Sequence, residues 1–324
     1  MTRQPTTREL KVLRAPSHWP ITEIRGWFPA APVGTQPDAE PFEILDLGND
    51  TDPVLLSWLQ TERGRRYKST CAPKLAPAVV DALARHADRS GLVVVVGPSD
   101  PSALCSEPAD WASTALPPRS ETPGTAAGPQ LTVMSEASWL SSATVAGLVC
   151  EWSLPSTEDI VDWHVASALL AGCHTGQLHI ALRQNARLCY GPYTEILSVG
   201  GRSVLSLDFQ AAREGYPAAV GILDEVLNTA PLSLTQADIE LAARHTAGMI
   251  AAKRSASGPR ADILLDYAAN PRQYRRLALA PAKELRTVGE ADIRAKLAAL
   301  ARAWNAWWPS MVEQNEETEK GRAQ

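Results

Sequence analysis

Two side chains within residues 171–190, AGCHTGQLHIALRQNARLCY, are of types that can act together on a peptide. The apolar spacing predicts a helix from 178 to about 186, running into a strand with an aromatic residue at its start. Arg183 near the end of that helix is a forked donor, and Tyr190 on the strand carries a single O–H donor. Together they suit the carbonyl groups of a peptide. Taken alone, the residues favour the simpler interpretation of a surface arginine and a half-buried tyrosine.

The histidines do not form a metal-binding motif. The six are His18, His86, His164, His174, His179 and His245. None belongs to His-x-x-Glu-His or His-Glu-x-x-His, the patterns that place two zinc ligands on one helix face. Cys173, His174 and His179 lie close together, but their spacing fits no zinc motif. Because a Gly-x-Ser-x-Gly elbow is also missing, the sequence predicts neither a metal site nor a serine nucleophile in this chain.

Two further segments could bind anions, and both have simpler explanations. The segment 97–100, Gly-Pro-Ser-Asp, follows an apolar run but lacks the glycine spacing and the lysine of a phosphate-binding loop, so a turn is favoured. The basic cluster at 63–68 contains three arginines, a lysine and Tyr67. Because the chain carries a net charge of -5, a solvated loop is favoured there, and nucleic acid is not expected as a partner. Whether this cluster contacts a substrate stays open.

Composition and cysteine usage indicate a globular protein of the cytoplasm. Hydrophobic residues make up 45% and charged residues 21% of the chain, which are ordinary proportions for a globular fold. The five cysteines are an odd number without close pairing, so we expect reduced thiols rather than a disulfide framework. The opening residues contain no apolar run of signal-peptide length, and no window approaches the ~18 apolar residues of a membrane span. We therefore expect a cytoplasmic protein without a membrane partner.

Apolar spacing and turn residues predict alternating strands and helices in both halves of the chain. In the first half, strands are predicted at 21–29, 43–47 and 92–96, and helices at 54–61, from 77 to 91 and at 101–111. In the second half, strands are predicted at 143–154, 188–199 and 203–209, and helices at about 156–172, 211–228, 235–254 and 289–308. Gly200-Gly201 is expected to form a hairpin turn. Ser156 is expected to cap a helix, and Thr235 and Asp238 have capping-box spacing.

The order of these elements predicts an α+β fold with two domains. The stretch 113–130 is almost free of large apolar residues, which is typical of a linker. Each half contains strands and a helix that leads into a late strand, an indication of internal duplication. Strands followed by pairs of helices favour helices packed on one face of a sheet.

The stretch 171–190 resembles the second-domain signature of the pitrilysin, insulysin and mitochondrial processing peptidase family. That signature runs roughly Gly-Gly, Ser-Arg-Leu, Leu-Arg-Glu and Gly-Leu-Ala-Tyr. Here Ala171-Gly172 stands for the glycine pair, Leu182-Arg183-Gln184 for Leu-Arg-Glu, and Leu188-Cys189-Tyr190 for Leu-Ala-Tyr. Leu178 stands five residues before Arg183, and Tyr190 stands seven residues after it, as in the family.

The resemblance extends beyond the signature, with departures. Residues 286–293 resemble the phrase that opens the last helix of the family, and 92–97 followed by Asp100-Pro101 resembles the closing strand of a first domain. Arg187 stands where the family has a glycine, and Gln184 replaces the usual glutamate. The inverted zinc motif His-x-x-Glu-His is absent from this chain.

The resemblance implies two related α/β-layer domains, which together form a peptidase half-clamshell. Each would be a mixed, largely antiparallel sheet with helices on one face. Residues 1–113 would be a shortened, degenerate first domain without the zinc motif, 114–129 a linker, 130–310 the second domain with the Arg/Tyr signature, and 311–324 a disordered tail.

The resemblance also implies a function that two chains share. Zinc is expected in a partner subunit that carries His-x-x-Glu-His and the general base, and this chain would be inactive alone. In the heterodimer, Arg183 would anchor the peptide backbone, and Tyr190 would donate a hydrogen bond to the carbonyl oxygen as it becomes negative. Leader removal or maturation of a ribosomally made peptide would suit such a cytoplasmic, split zinc metallopeptidase.

Two other functions remain open at this point. One is a catalytically silent structural subunit, like the core proteins of respiratory complexes that resemble this family, in which Arg183 and Tyr190 would be relics. The other is a module that binds leader peptides and never meets a peptidase. A neighbouring gene that encodes His-x-x-Glu-His would argue against both.

Overall fold

The computed structural model describes residues 10–16, 21–29, 42–45, 54–61, 64–86, 91–98, 130–135, 145–199 and 202–322. The chain forms two compact units. The first comprises Met1–Arg119, Val199–Gly201 and Ile250–Leu279, and the second comprises Ser120–Ser198, Arg202–Met249 and Ala280–Gln324. The boundaries expected from the sequence place 250–279 in the second domain, whereas these residues are compact with the first unit.

The first unit is built on a six-stranded sheet. Its strands are β1 (Leu10–Pro16), β2 (Thr22–Pro29), β3 (Phe42–Leu45), β4 (Val54–Thr61), β5 (Gly64–Cys71) and β6 (Gly91–Gly97). Their order is β1-β6-β2-β5-β4-β3, in which β1 is parallel to β6 and the other pairs are antiparallel. A mixed, largely antiparallel sheet is therefore confirmed in this unit.

Strand β6 lies inside this sheet and is apolar on both sides, so helices cover both faces. Val93 and Val95 belong to the core under helix α1 (Ala76–His86). Helix α5 (Ser257–Ala269) packs on β2 and β6 and also contacts helix α6 (Pro271–Leu279). A continuous apolar run such as 92–96 is typical of a strand buried on both faces. The expected layer of helices on one face is thus corrected to two layers around this sheet.

Residues 54–61 form a strand and not the predicted short helix. The run VLLSWLQT is too short for its apolar spacing to distinguish the two structures. Strand β4 pairs with β3 on one side and β5 on the other, with Leu55 opposite Ile44 and Trp58 opposite Tyr67. Backbone hydrogen bonds to two neighbouring strands stabilise an extended conformation that no local signal specified.

The basic cluster at 63–68 falls largely in strand β5, not in a solvated loop. Arg65, Arg66 and Lys68 are strand residues, and the alternation of a strand buries Tyr67 while it exposes Lys68. The predicted helix at 101–111, the linker at 114–129, Arg63, Ser99, Asp100 and the Gly200-Gly201 turn lie outside the described residues.

Arg25 on β2 is a buried charge that two carboxylates hold. Its side chain is 1% exposed, and Nη1 donates to Glu23 Oε2 at 2.9 Å while Nε donates to Asp262 Oδ1 at 2.9 Å. Nη1 also donates to the carbonyl of Ile24 at 3.1 Å, and Thr70 Oγ1 donates to Glu23 Oε2 at 2.8 Å. Because a buried charge is costly without its partners, this network ties helix α5 to strand β2.

The second unit contains a four-stranded sheet with helices on one face, as predicted. Its strands are β7 (Gln130–Ser135), β8 (Val145–Ser153), β9 (Tyr193–Val199) and β10 (Arg202–Ala212), in the order β7-β8-β10-β9. Strands β7 and β10 both pair with β8 in antiparallel fashion. Cys150 and Leu207 face the buried side, whereas Glu151 and Asp208 on the opposite face are half-buried.

Helices α2 (Ile160–Ser167), α3 (Tyr216–Ser233) and α8 (Glu290–Arg322) pack together on this sheet. Helices α4 (Gln236–Ser255) and α7 (Ala282–Leu285) complete the α-helices of the described residues. None of the helices in the described parts of the chain has the length and hydropathy that crossing a membrane requires.

Two helix starts test the capping predictions. The capping box is confirmed at α4, where Asp238 Oδ2 accepts from Thr235 N at 2.8 Å and Asp238 N donates to Thr235 Oγ1 at 3.2 Å. These hydrogen bonds favour the charged carboxylate and lower the pKa of Asp238. The prediction for Ser156 is wrong, because the chain still turns there and Asp159 caps α2 by accepting from Val161 N at 2.8 Å.

The last helix is longer than predicted. It begins at Glu290, close to the predicted start, but continues to Arg322 through most of the segment expected to be a disordered tail. Residues 313–320 are rich in Glu, Gln and Lys, which are good helix formers that do not require a buried face. Within α8, Trp304 is fully buried, and its Nε1 donates to Asp224 Oδ1 at 2.8 Å.

The Arg25 network predicts a large loss of stability when its cation is removed. In Arg25→Met the side-chain volume is roughly kept, but Glu23 remains buried without its positive partner. We expect the free energy of unfolding to fall by about 3–5 kcal/mol, measured by urea unfolding. The matched control is Glu290→Gln, which removes a half-exposed ion pair with Arg294 at 2.8 Å and should cost less than about 1 kcal/mol. Equal effects of the two substitutions would contradict the prediction.

Candidate functional site

The segment that carries Arg183 and Tyr190 begins in the core of the second unit. Helix α2 buries Ile160, Val161 and Trp163 almost completely, and its last residues continue into a wider, π-type turn at Ala168–Gly172. Outside the helix, Lys296 lies 5.0 Å from the Trp163 ring and forms an ion pair with Glu158 at 2.5 Å. Burial of apolar side chains therefore holds in place the helix that precedes the candidate site.

Two buried hydroxyl groups tie the end of α2 to strand β9. Ser167 Oγ donates to Thr194 Oγ1 at 3.0 Å, and Thr194 Oγ1 donates to the carbonyl of Ser167 at 3.0 Å. Each residue is only 4% exposed, so water competes little for these bonds. Because Thr194 follows Tyr190 by four residues, the pair determines where the chain returns to the sheet.

A tight turn follows the π-type turn and requires glycine at 176. A Cβ atom on Gly176 would lie 2.7 Å from the carbonyl oxygen of Leu170 and 3.0 Å from Cα of Ala171. No side chain fits at these distances unless the backbone moves, so the turn packs closely on the residues before it.

The predicted helix of the signature is present as the π-type helix His179–Asn185. Its last bonds are wide: Ala186 N donates to Ala181 O at 3.0 Å, and Leu188 N donates to Leu182 O at 2.9 Å. Leu178 and Leu182 are fully buried on one side, whereas residues 183–187 are all exposed. Single π turns occur frequently at functional sites, because the wider turn changes the direction of the side chains that follow it.

Arg187 ends this helix in a left-handed conformation, with φ of 56°. It is the single non-glycine residue with positive φ among the described residues. The bond from Leu188 N to Leu182 O resembles a Schellman cap that reaches one residue further, and such caps usually place glycine at this position. A side chain with a Cβ atom costs roughly 1–2 kcal/mol in this conformation.

The structure brings Arg183 and Tyr190 together, and Tyr190 is exposed and not half-buried as the residues alone favoured. The guanidinium carbon of Arg183 lies 4.9 Å from the centre of the Tyr190 ring, a cation–π contact, and Tyr190 is 87% exposed. Tyr190 does not start a strand: Cys189 forms an isolated bridge with Ala211, and β9 begins only at Tyr193. Among the described residues, no hydrogen bond or ion pair occupies the Arg183 guanidinium or the Tyr190 hydroxyl.

The surroundings of Arg183 carry positive charge. The pKa of His179 is lowered by partial burial and by the nearby cations Arg183 and His174. Burial raises the pKa of Cys189, and Arg183 offsets part of this change. Gln184 Nε2 donates to the carbonyl of His174 at 3.4 Å, which holds the turn beside the helix. Ligands that meet this surface therefore encounter a cationic, hydrogen-bond-donating environment.

Metal binding is not supported at this segment. Cys173 Sγ lies 3.2 Å from the carbonyl of Ala168 and 3.1 Å from Thr175 Oγ1, so local hydrogen bonds already engage the thiol. Within the described residues, no group of three His, Cys, Asp or Glu side chains could hold a metal ion. Zinc of the kind that the family resemblance implies therefore does not fit this part of the chain.

Sequence reasoning found the two donors but missed what positions them. No local signal pointed to the pairing of Ser167 with Thr194 or to the π-type turns. The left-handed conformation of Arg187 could have been predicted, because the family that the sequence resembles has glycine at this position.

The strain at Arg187 predicts that glycine stabilises the protein. Arg187→Gly relieves the left-handed conformation but makes the unfolded chain more flexible, so we expect a net gain of about 0.5–1 kcal/mol in the free energy of unfolding. The control is Arg187→Ala, which removes the same charge and keeps the strain, and should bring no gain. Urea unfolding midpoints measure both, and an equal gain in Arg187→Ala would assign the effect to charge.

The environment of His179 predicts a shift in its titration. Arg183→Ala removes one of the two cations that disfavour the imidazolium, so the pKa of His179 should rise toward its ordinary value. Tyr190→Phe keeps the charge of Arg183 and should leave the titration in place. NMR of the imidazole Cε1–H signal across pH 4–8 measures this, and an unchanged pKa in Arg183→Ala would contradict the proximity of the two groups.

Residues 93–245 match the family model of the peptidase M16 inactive domain, a range that includes both Arg183 and Tyr190. None of the curated proteins matches the sequence. Among solved structures, the chain is similar to a protease from Helicobacter pylori, with 11% identity and a TM-score of 0.55, over 90% of this chain and 94% of that one.

Two further solved structures are similar. The peptidase M16 inactive domain from Pseudomonas fluorescens has 12% identity and a TM-score of 0.53, over 88% of this chain and 91% of that one. A chain of complex III from Candida albicans has 8% identity and a TM-score of 0.57, over 89% of this chain and 90% of that one. At such identities the likeness establishes the α+β fold alone. The match over residues 93–245 supports the pitrilysin-like M16 peptidase family in its inactive form, and the sequence carries no His-x-x-Glu-His motif.

Proposed function

We propose that this chain is the substrate-binding, zinc-free subunit of a heteromeric zinc metallopeptidase. The observation that carries the proposal is the Arg183/Tyr190 pair. The two side chains touch, are exposed, and have hydrogen-bond donors that no other described residue occupies. A purely structural surface does not require two unengaged donors on a backbone held at both ends.

The roles of the two residues follow from their chemistry. Arg183 presents several N–H donors in a fixed fork and would anchor carbonyl groups of the peptide backbone. Tyr190 would donate its O–H to the oxygen of the scissile carbonyl as negative charge develops there. Because the guanidinium lies against the ring, each side chain limits the movement of the other, and less ordering is needed when the peptide binds.

The rest of the chemistry would come from a partner subunit. Since this chain has no His-x-x-Glu-His, a relative with that motif would supply zinc and the general base. An obligate complex of this kind should bury well over ~1,000 Å² of surface. A gene next to the one for this chain is the first place to look for that relative.

The compartment and substrate class are parts of the same proposal. Cys71, Cys150, Cys173 and Cys189 are free thiols, which suits a reducing compartment such as the cytoplasm. Burial raises the pKa of Cys71 to about 11, so that thiol is expected to be unreactive. In the cytoplasm, removal of a leader from a ribosomally made peptide, or its maturation, is a reaction that a split peptidase could perform.

A second candidate is a silent structural or peptide-binding protein of the same fold. The likeness to a chain of complex III favours it, because that chain belongs to a respiratory assembly. In a silent structural protein the Arg183/Tyr190 pair would be a relic, and substitution of either residue would change neither turnover nor peptide affinity.

The two candidates differ in what substitutions do to the assembled peptidase. In complex with the zinc-bearing partner, Tyr190→Phe removes one O–H and keeps the ring, so kcat should fall about 10²–10³-fold while KM changes little. Arg183→Ala should raise KM more visibly, because backbone anchoring acts in the ground and transition states alike. Steady-state cleavage of a fluorogenic peptide, in the purified complex, measures both.

Controls separate a kinetic effect from loss of structure. Both variants should copurify with the partner and keep melting temperatures near that of the unchanged protein, because both side chains are exposed. This chain purified alone should contain no stoichiometric zinc and cleave no peptide. Full turnover in both variant complexes, or failure of the chain to associate with any zinc-bearing relative, would favour the silent candidate.

A further inference from the structure

Four basic side chains lie within residues 174–187, in a chain whose net charge is -5. His174, Arg183 and Arg187 are exposed, and His179 is half-buried. The electrostatic environment links three of them, because the charges that act on His179 are those of Arg183 and His174. The net charge of -5 takes histidines as neutral, so the positive charge of the candidate site at pH 7 comes from Arg183 and Arg187.

Arg187 is the residue of this surface that local structure does not explain. Its φ of 56° is strained for any residue with a Cβ atom, and glycine would satisfy the helix cap without strain. Residues held in strained conformations concentrate at functional sites, where the side chain has a use that offsets the strain. The use available to an exposed guanidinium three residues before Tyr190 is to bind an anionic group of a ligand at this site.

A structural role for the charge is the competing explanation. Cations near the end of a helix interact favourably with its last carbonyl groups, and Arg183 and Arg187 both lie near the end of His179–Asn185. Such an interaction would stabilise the helix, but it would not depend on which peptide is present. Peptide preference therefore separates the two explanations.

We propose that Arg187 and Arg183, with His174 and His179 beside them, form a subsite for an acidic side chain of the bound peptide. This inference rests on the proposed function, in that a peptide must bind at Arg183 and Tyr190. A carboxylate matches the planar fork of a guanidinium and accepts two parallel hydrogen bonds from it. Residues 183–187 are all exposed, so both guanidinium groups are accessible to a peptide side chain.

The test compares two labelled ten-residue peptides, both N-acetylated and C-amidated, which differ only in having Glu or Gln at the central position. Fluorescence anisotropy measures their affinity for the full chain and for its complex with the partner. At about 50 mM salt the Glu peptide should bind about fivefold more tightly, the upper range for an exposed charge pair. At about 500 mM salt, where charges are screened within a few ångströms, this preference should largely disappear.

Variants of Arg187 assign the preference to this residue. In Arg187→Gly the preference should fall to about twofold or less, although the same substitution is expected to stabilise the fold. Arg187→Lys restores the charge and should recover most of the preference. The matched control is Arg302→Gln, which removes an exposed positive charge from α8, outside the site, and should leave the preference intact.

The outcomes distinguish this inference from the proposed function. If both peptides bind equally well, or if Arg187→Gly keeps the full preference, the acidic subsite is overturned while peptide binding stands. A Gln peptide with a free C-terminus that binds as tightly as the Glu peptide would assign the charge to chain ends and also overturn it. If neither peptide binds to the chain or to its complex, the proposed function fails together with the subsite.

Discussion

What the candidate site presents to solvent depends on the burial of Leu178 and Leu182. Both side chains are completely buried, four residues apart on one side of the helix His179–Asn185, so the residues that follow must face outward. The close packing of Gly176 fixes one end of this segment, and the hydroxyl pair of Ser167 and Thr194 fixes the other. Arg183 is therefore exposed, but its backbone is held in place because the neighbouring apolar side chains are buried.

The two units use polar side chains for different purposes. In the first unit, Arg25 is buried with Glu23 and Asp262, and this network contributes to the attachment of one helix to one sheet. In the second unit, Arg183 and Tyr190 contribute little to stability, since they touch mainly each other at an exposed site. The exposed pair lies close in sequence to Arg187, whose backbone is strained. Neither feature is favoured by stability alone.

The candidate site has hydrogen-bond donors and positive charge, but the described residues contain no metal-binding group, and the sequence lacks the inverted zinc motif. Donors of this type stabilise charge that another group must generate. In the proposed function, a partner subunit would therefore supply the groups that generate this charge.

The sequence by itself determined the class of the fold, most strands and helices and the capping box at Thr235, and its resemblance to a known family singled out Arg183 and Tyr190. These depend on signals within a few residues, such as apolar spacing, turn residues and the seven-residue separation of Arg183 and Tyr190. Only the tertiary structure decided the extended form of β4, the placement of α5 on the first sheet and the left-handed conformation of Arg187. Pairing and packing between distant residues control these features, as in the contact of Arg25 with Asp262 across 237 positions, and no local pattern encodes such a contact.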